Sequence, residues 1–374
     1  MTDPAPGANR SLADEFLALH EFIPAAKAAM TPEGWDYLIG GTETETTLAR
    51  NRAAIDAVAL RPRVLVDVSE IDCSGDFLGE PVRLPICLAP IGGLEVCDPD
   101  GALAVAEAAG AFGAPMMLSS VSRRAKAEIR AATRAPAIFQ LYVRGGPRFI
   151  EEHVEEAIEQ GLDAFCFTVD TAVYSRRERD IVRRFDKPWR RHVDEAAVRA
   201  QASLSWDDVV RIRKSYDIPL ILKGIMTAED ARIAADRGID VVYVSNHGGR
   251  QLDHGLGAME VLPEIRAAVG DRCRIMVDGG FSRGTDIVKA IALGAHCVGL
   301  GRLHCYGLAA AGSDGIVRLL EILENEIHSA LGLVGVSSFA DLTPEHVSRG
   351  APSVARPSVF SAFPLLDGED APTP

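Results

Sequence analysis

A chain of 374 residues, 47% hydrophobic and 25% charged, has the composition of an ordinary globular protein, long enough for one large α/β domain with extensions. Its formal net charge of −14 offers no basic field from which counterions could be released, which argues against nucleic acid or an anionic membrane surface as a partner. Seven cysteines without a Cys-x-x-Cys pair, a polar start and no apolar run of bilayer length predict a reducing, cytoplasmic setting with no membrane partner.

In chain order, residues 1–10 carry Pro4, Pro6 and Gly7 and predict a disordered start. Helical patterning follows over 12–30, and Pro32 opens a second helix, bearing Trp35 and Tyr37, that Gly40-Gly41 ends. Residues 44–57 predict a further helix, and 60–68 an extended arm with Arg61, Pro62 and Arg63. From about Leu84 the pattern alternates. Short runs rich in β-branched and aromatic residues fall at 85–89, 114–118, 137–143, 164–169, 219–222, 241–244, 274–277 and 297–300. Alanine-rich helical stretches such as 101–112, 149–160, 228–237 and 284–293 lie between them. Repeated strand–helix units imply parallel strands, and eight of them predict a closed (β/α)8 TIM barrel. The predicted organisation is an N-terminal helical extension and arm over 1–80, a barrel over 81–349 and a tail over 350–374 that covers part of the barrel. The fourth connection, Thr171 to Asp217, is long; its charged segment 173–180 reads as a lid or binding loop and is too polar for a membrane insert.

Each run ends in residues useful for chemistry: Pro90-Ile91-Gly92, Ser119-Ser120, Gln140 with Tyr142, Thr168 with Asp170, Lys223, His247, Asp278-Gly279-Gly280 and Gly301-Arg302. In a barrel the carboxyl ends of all strands meet at one rim, so these tips converge. A lone His247-Gly248-Gly249-Arg250 is more often a surface turn; in this set it predicts an imidazole base beside a guanidinium that forks a carboxylate. Gly279, Gly280, Gly301 and a helix start after Gly284, with Arg283 and Arg302, predict a phosphate site rather than two merely tight turns. Lys223 ends a buried strand and needs an anionic partner, either a structural carboxylate or a reduced flavin. Alone, Tyr37 reads as core and the Arg176-Arg177 pair as solvated charge. The nine histidines form no metal motif, and none of the expected sites is metallic.

Taken together, Ser245–Asp253, Val277–Gly280, Phe139–Tyr142, Thr168–Thr171 and Arg176–Glu178 resemble the FMN-dependent (S)-2-hydroxy-acid oxidase/dehydrogenase family, over about residues 14–357. The resemblance implies FMN as cofactor and oxidation of a small-molecule 2-hydroxy acid to the 2-oxo acid, with oxygen or another electron acceptor and a homotetrameric assembly. It implies His247 as catalytic base, Arg177 and Arg250 as the carboxylate grip, and Tyr37 and Tyr142 as substrate contacts. Lys223 matches the lysine beside the flavin N1/O2 edge; Gln140, Thr168, Ser119 and Pro90 to Gly92 match flavin contacts; Asp278 to Gly280, Arg283, Gly301 and Arg302 fall at the ribityl-phosphate site. The chain departs from the family pattern at Ile91, Gly92, Val121, Ser282 and Leu303. Because Gly92 and Val121 replace bulkier residues, an enlarged pocket and a substrate with a medium or large side chain are expected. The rival readings are a flavin barrel acting on another substrate class and a catalytically silent flavin-binding protein. The second conflicts with retention of His247 and Lys223, the first with retention of both arginines.

Overall fold

The computed structural model describes residues 11–190, 193–350, 359–363 and 366. Eight parallel strands close into a barrel: β1 (Ile86–Leu88), β2 (Met116–Ser119), β3 (Ala137–Leu141), β4 (Ala164–Thr168), β5 (Leu220–Ile225), β6 (Val241–Val244), β7 (Arg274–Val277) and β8 (Cys297–Leu300). Several are preceded by proline, which cannot donate to a ladder and so sits at a strand's start. The carbonyls of Pro85, Pro115, Pro136 and Pro219 nonetheless accept from the neighbouring strand and begin the pairing. Alternation then divides the side chains. One set, including Cys87, Met117, Ile138, Cys166, Ile221, Tyr243, Met276 and Cys297, forms the barrel interior; the other packs against the surrounding helices.

The predicted helix over 12–30 is two helices, Leu12–Glu15 and Leu19–Ala29. The break is chemical: the Glu21 carboxylate accepts from the backbone N–H of Leu17 (2.6 Å) and Ala18 (2.8 Å), capping a fresh start. The second helix is Pro32–Ile39 and the third Thr46–Asp56. Two strand pairs were not predicted. Val58–Leu60 pairs antiparallel with Val347–Arg349, and Gly75–Phe77 with Glu80–Val82. The second hairpin closes the amino end of the barrel, its Phe77 and Val82 joining the interior cluster. The described part of the tail lies on the N-terminal helices, where Phe360 stacks on Trp35 at 6.0 Å and Phe363 meets His20 edge-on at 5.6 Å. The start at 1–10 and most of the tail beyond Gly350 lie outside the described residues. Among the described residues no helix is long and apolar enough to cross a membrane.

Candidate active site at the carboxyl rim of the barrel

The strand tips open into a cavity of about 1350 Å³, counting the part continuous with solvent. Its wall is shared between the barrel and the helices Pro32–Ile39 and Thr46–Asp56, which contribute Tyr37, Leu38, Leu48 and Arg52.

The loop after β6 is fastened to those helices. His247, Gly248 and Gly249 have φ of 60°, 64° and 76°, an uncommon left-handed run for a chain that includes a histidine. Gly249 is needed for a second reason: a Cβ there would lie 2.5 Å from the Leu48 backbone. Asn246 and Asn51 exchange amide hydrogen bonds of 2.8 and 2.9 Å. Asp253 accepts from the Thr44 hydroxyl (2.6 Å), its N–H (2.9 Å) and the Thr47 N–H (2.8 Å), capping Thr46–Asp56 from across the chain.

His247 sits between two partners. Nδ1 lies 3.2 and 3.3 Å from the Asp170 carboxylate oxygens, and Nε2 lies 3.2 Å from the Tyr142 hydroxyl. A carboxylate only accepts, so Nδ1 carries the proton and Nε2 presents its lone pair. Burial pulls the imidazole below its ordinary pKa; Asp170 opposes this, while Lys223 and Arg177 reinforce it. The ring is therefore a neutral base at neutral pH. Burial raises the Asp170 carboxyl, but His247 and Lys223 outweigh it and hold it below its usual range. A bulge in β5 makes this geometry possible: Gly224 has φ 117°, and a Cβ there would lie 2.7 Å from that of Asp170. Burial pushes the Tyr142 phenol up to about 12, so it stays a hydroxyl.

Lys223 donates to the Ser245 hydroxyl at 2.8 Å and pairs with Asp278 at 3.2 Å; Ser245 in turn donates to Asp278 at 2.6 Å. Burial disfavours the ammonium, but Asp278, Asp170 and Tyr142 hold its pKa above the ordinary value. The cavity floor is thus a fixed cation.

Arg177, Arg250 and Arg302 line the same cavity. All three carbonyls that Arg250 reaches, those of Tyr37 (2.8 Å), Leu38 (3.4 Å) and Gly40 (2.7 Å), meet Nη1, so the Nε and Nη2 edge is left for a carboxylate. Burial, then the neighbouring Arg177 charge, brings its pKa down to about 9, still cationic at neutral pH and a measure of how far this site favours an anion. Arg177 Nε reaches the Ser175 hydroxyl (3.3 Å) and the Arg250 carbonyl (3.4 Å). Tyr37 lies under Arg250, ring centroid 5.0 Å from the guanidinium, but its hydroxyl donates to the Gly92 carbonyl at 2.8 Å.

The fit to a flavin rests on buried polar atoms. Both amide atoms of Gln140 and the Thr168 hydroxyl are buried without a hydrogen-bond partner, a costly state in a packed interior. They stand on the adjacent strands β3 and β4, where the N–H and carbonyl groups of an isoalloxazine edge would satisfy them. Pro90, Ile91 and Gly92 line the cavity, whereas Gln140, Thr168 and Ser119 are buried and not part of its wall, the Ser119 hydroxyl accepting from the Val121 N–H at 3.5 Å.

The phosphate expectation needs a correction. Arg283 is paired with Glu326 at 2.6 Å and donates to the Ala362 carbonyl, away from the cavity. The N–H groups of Ser282 and Arg283 go to Asp286, and that of Gly284 to Glu326, so the helix Gly284–Ala292 starts already satisfied. Asp286 is itself held by a buried bidentate pair with Arg52 (2.7 and 2.9 Å). The helical stretch Arg302–Val334, two helices joined at a kink at Ala311 and Gly312, by contrast has Gly301 at its N-cap with no side-chain cap, and nothing lies within 4 Å of where a Gly301 Cβ would be. An anion fits there, with Gly279, Gly280 and Arg302 alongside in the cavity wall. Arg302 now donates to the carbonyls of Leu38, Gly40 and Gly248.

Sequence reasoning missed Asp170 as partner of the base, Ser245, Arg52, Arg144 and Trp189. Asp170 was visible as a polar tip sharing a face with Thr168, and Ser245 as the first residue of the motif that holds His247; Arg52, Arg144 and Trp189 carry no local signal, because only the tertiary fold brings them to the cavity. Among the described residues no group of three or more His, Cys, Asp or Glu is placed to hold a metal.

Comparison with known proteins agrees with this geometry. Residues 26–349 match the family model of FMN-dependent dehydrogenases. The chain is 38% identical over 351 residues to the peroxisomal (S)-2-hydroxyacid oxidase GLO3 of Arabidopsis thaliana, covering 89% of this chain and 97% of that one. It is 36% identical to an L-lactate oxidase of Nostoc sp., covering 87% and 96%. Among solved structures, mandelate oxidase with (S)-2-phenylpropionate superposes with a TM-score of 0.83 at 37% identity, covering 90% of this chain and 99% of that one. With the barrel, the cationic rim and the orphaned polar edge of β3 and β4 in place, the chain belongs to the family of FMN-dependent dehydrogenases.

Proposed function

We propose that the protein oxidises an (S)-2-hydroxy acid to the 2-oxo acid with bound FMN. The observation that carries this reading is the neutral His247, oriented by Asp170, facing the same cavity as Arg177 and Arg250. Gln140 and Thr168 would hold the flavin ring, and Gly279, Gly280, Gly301 and Arg302 its phosphate. FMN, when bound, would supply the two-electron acceptor, with oxygen or another acceptor as the final oxidant.

Arg177 and the open edge of Arg250 take the substrate carboxylate, placing the hydroxyl-bearing carbon beside His247 and Tyr142. His247 Nε2 removes the proton, and Asp170 stabilises the imidazolium that results. Lys223, kept protonated by Asp278, supplies positive charge at the cavity floor where negative charge develops. Tyr37 fixes the Gly92 carbonyl and backs Arg250 rather than offering a free hydroxyl.

The test is anaerobic mixing of the holoprotein with a panel of (S)-2-hydroxy acids, followed by loss of flavin absorbance. The wild type should bleach with at least one acid. His247→Asn should keep its FMN and bleach about 10²-fold more slowly. Wild-type rates in His247→Asn would remove His247 as the base, and no bleaching by any acid would remove the hydroxy-acid reading.

A further inference from the structure

The connection between β4 and β5 returns over the cavity mouth, and its turn Pro188–Arg190 lays Trp189 on the tip of β1. The benzo edge of the indole is packed so closely that a Cβ on Gly93 would lie 2.3 Å from two of its carbons. Trp189 also meets the rings of Tyr37 at 5.3 Å and Phe185 at 6.2 Å. Next to it, Val121 leans over Gly92, its Cγ2 2.5 Å from where a Gly92 Cβ would be. The small residues at 92 and 121 therefore use some of each other's space, and the wall beyond Val121 is completed from a different loop. Arg144, two residues beyond Tyr142, donates from Nη1 to the Trp189 carbonyl at 3.3 Å, and lines the cavity itself.

In the reading above, the acid's carboxylate is taken by Arg177 and Arg250 and its hydroxyl carbon by His247 and Tyr142. Val121, Arg144 and Trp189 line the same cavity and are not taken up by either of these contacts. We propose that Trp189 is the specificity-determining wall of the substrate's side-chain subsite and that Arg144 is a positioning residue holding that wall through its carbonyl. This rests on the hydroxy-acid reading and adds what that reading leaves open: a planar apolar group on C2 packs against the indole. A ring stacked or edge-on at such a face gains contact that a hydrogen or methyl substituent cannot.

The experiment compares holoenzymes of the wild type, Trp189→Phe, Trp189→Ala and Arg144→Met with glycolate, lactate and mandelate under anaerobic conditions. Trp189→Ala should lower kcat/KM for mandelate at least 10-fold relative to glycolate, through KM rather than the limiting rate of flavin reduction. Trp189→Phe should restore most of that ratio, and Arg144→Met should shift it the same way by less. An unchanged ratio, a uniform loss with every acid, or a gain with mandelate, as removal of a plug would give, overturns the proposal. Binding of benzoylformate and glyoxylate, read from the flavin spectrum, gives the same ratio without turnover. A wild type that no acid reduces would sink the hydroxy-acid reading; an unchanged benzoylformate-to-glyoxylate affinity ratio in Trp189→Ala would sink the wall.

Discussion

At the residue scale, the proposed chemistry would depend on one imidazole, His247, being neutral and correctly tautomerised. Burial lowers the His247 pKa and Asp170 opposes the fall, so kcat/KM should rise with pH through an apparent pKa below the ordinary ~6.5 of histidine and then level off. Removing the Asp170 charge takes away a raising influence. Asp170→Asn should therefore move the rising limb to lower pH while cutting the rate of flavin reduction by about 10²-fold or more, because an amide no longer selects the tautomer. A pH profile that stayed in place would assign Asp170 to structure alone. Parts of this pair were legible in the sequence: His247 follows a strand-like run into a glycine turn, and Asp170 shares a face with Thr168. What was not legible was the contact, which depends on the Gly224 bulge in the intervening strand.

Among the elements, the most consequential join is between the loop after β6 and the helix Thr46–Asp56. Burial works against the Asp253 carboxylate, yet the donors on Thr44 and Thr47 hold its pKa well below the usual range. A depressed carboxyl contributes stability that is present above its unfolded pKa of ~4 and lost as pH falls through the folded value. Asp253→Ala should cost about 1–2 kcal/mol in urea unfolding at pH 7, the scale of a lost helix cap, with the gap to wild type closing below pH 4. An equal gap at pH 3 and pH 7 would mean lost packing rather than a lost carboxylate. The eight barrel strands were readable as short apolar runs between helical stretches, and the N-terminal helices from their pattern, apart from the break at Phe16–Ala18. The hairpin Gly75–Phe77/Glu80–Val82 was not: its strands have three residues each and Pro81 lies within one, so only its fit into the barrel's amino end makes it a sheet.

Across the whole molecule, a chain of net charge −14 gathers Arg52, Arg144, Arg177, Lys223, Arg250 and Arg302 around one cavity. Composition argued against a polyanionic partner, but it could not show this concentration, because the six cations come from separate stretches of the sequence. The carboxylates Asp56 and Asp286 offset Arg52, and Asp278 offsets Lys223. Arg177, Arg250 and Arg302 are met by neutral acceptors, carbonyls and polar side chains, which leaves a surplus of positive charge inside an acidic protein. Two of these arginines also fasten the helix Pro32–Ile39 to the loop after β6 through the carbonyls of Leu38 and Gly40. A bound anion would therefore relieve repulsion between cations that hold the N-terminal helices to the barrel. Stripping FMN should lower the unfolding temperature, and returning it should raise stability with the logarithm of its concentration, by roughly 2.7 kcal/mol at 100 times Kd. Riboflavin, which keeps the ring but lacks the phosphate, should stabilise less at equal concentration, and the difference should shrink in Arg302→Met. Equal stabilisation by riboflavin and FMN in the wild type would show that the rim after β8 does not hold the phosphate.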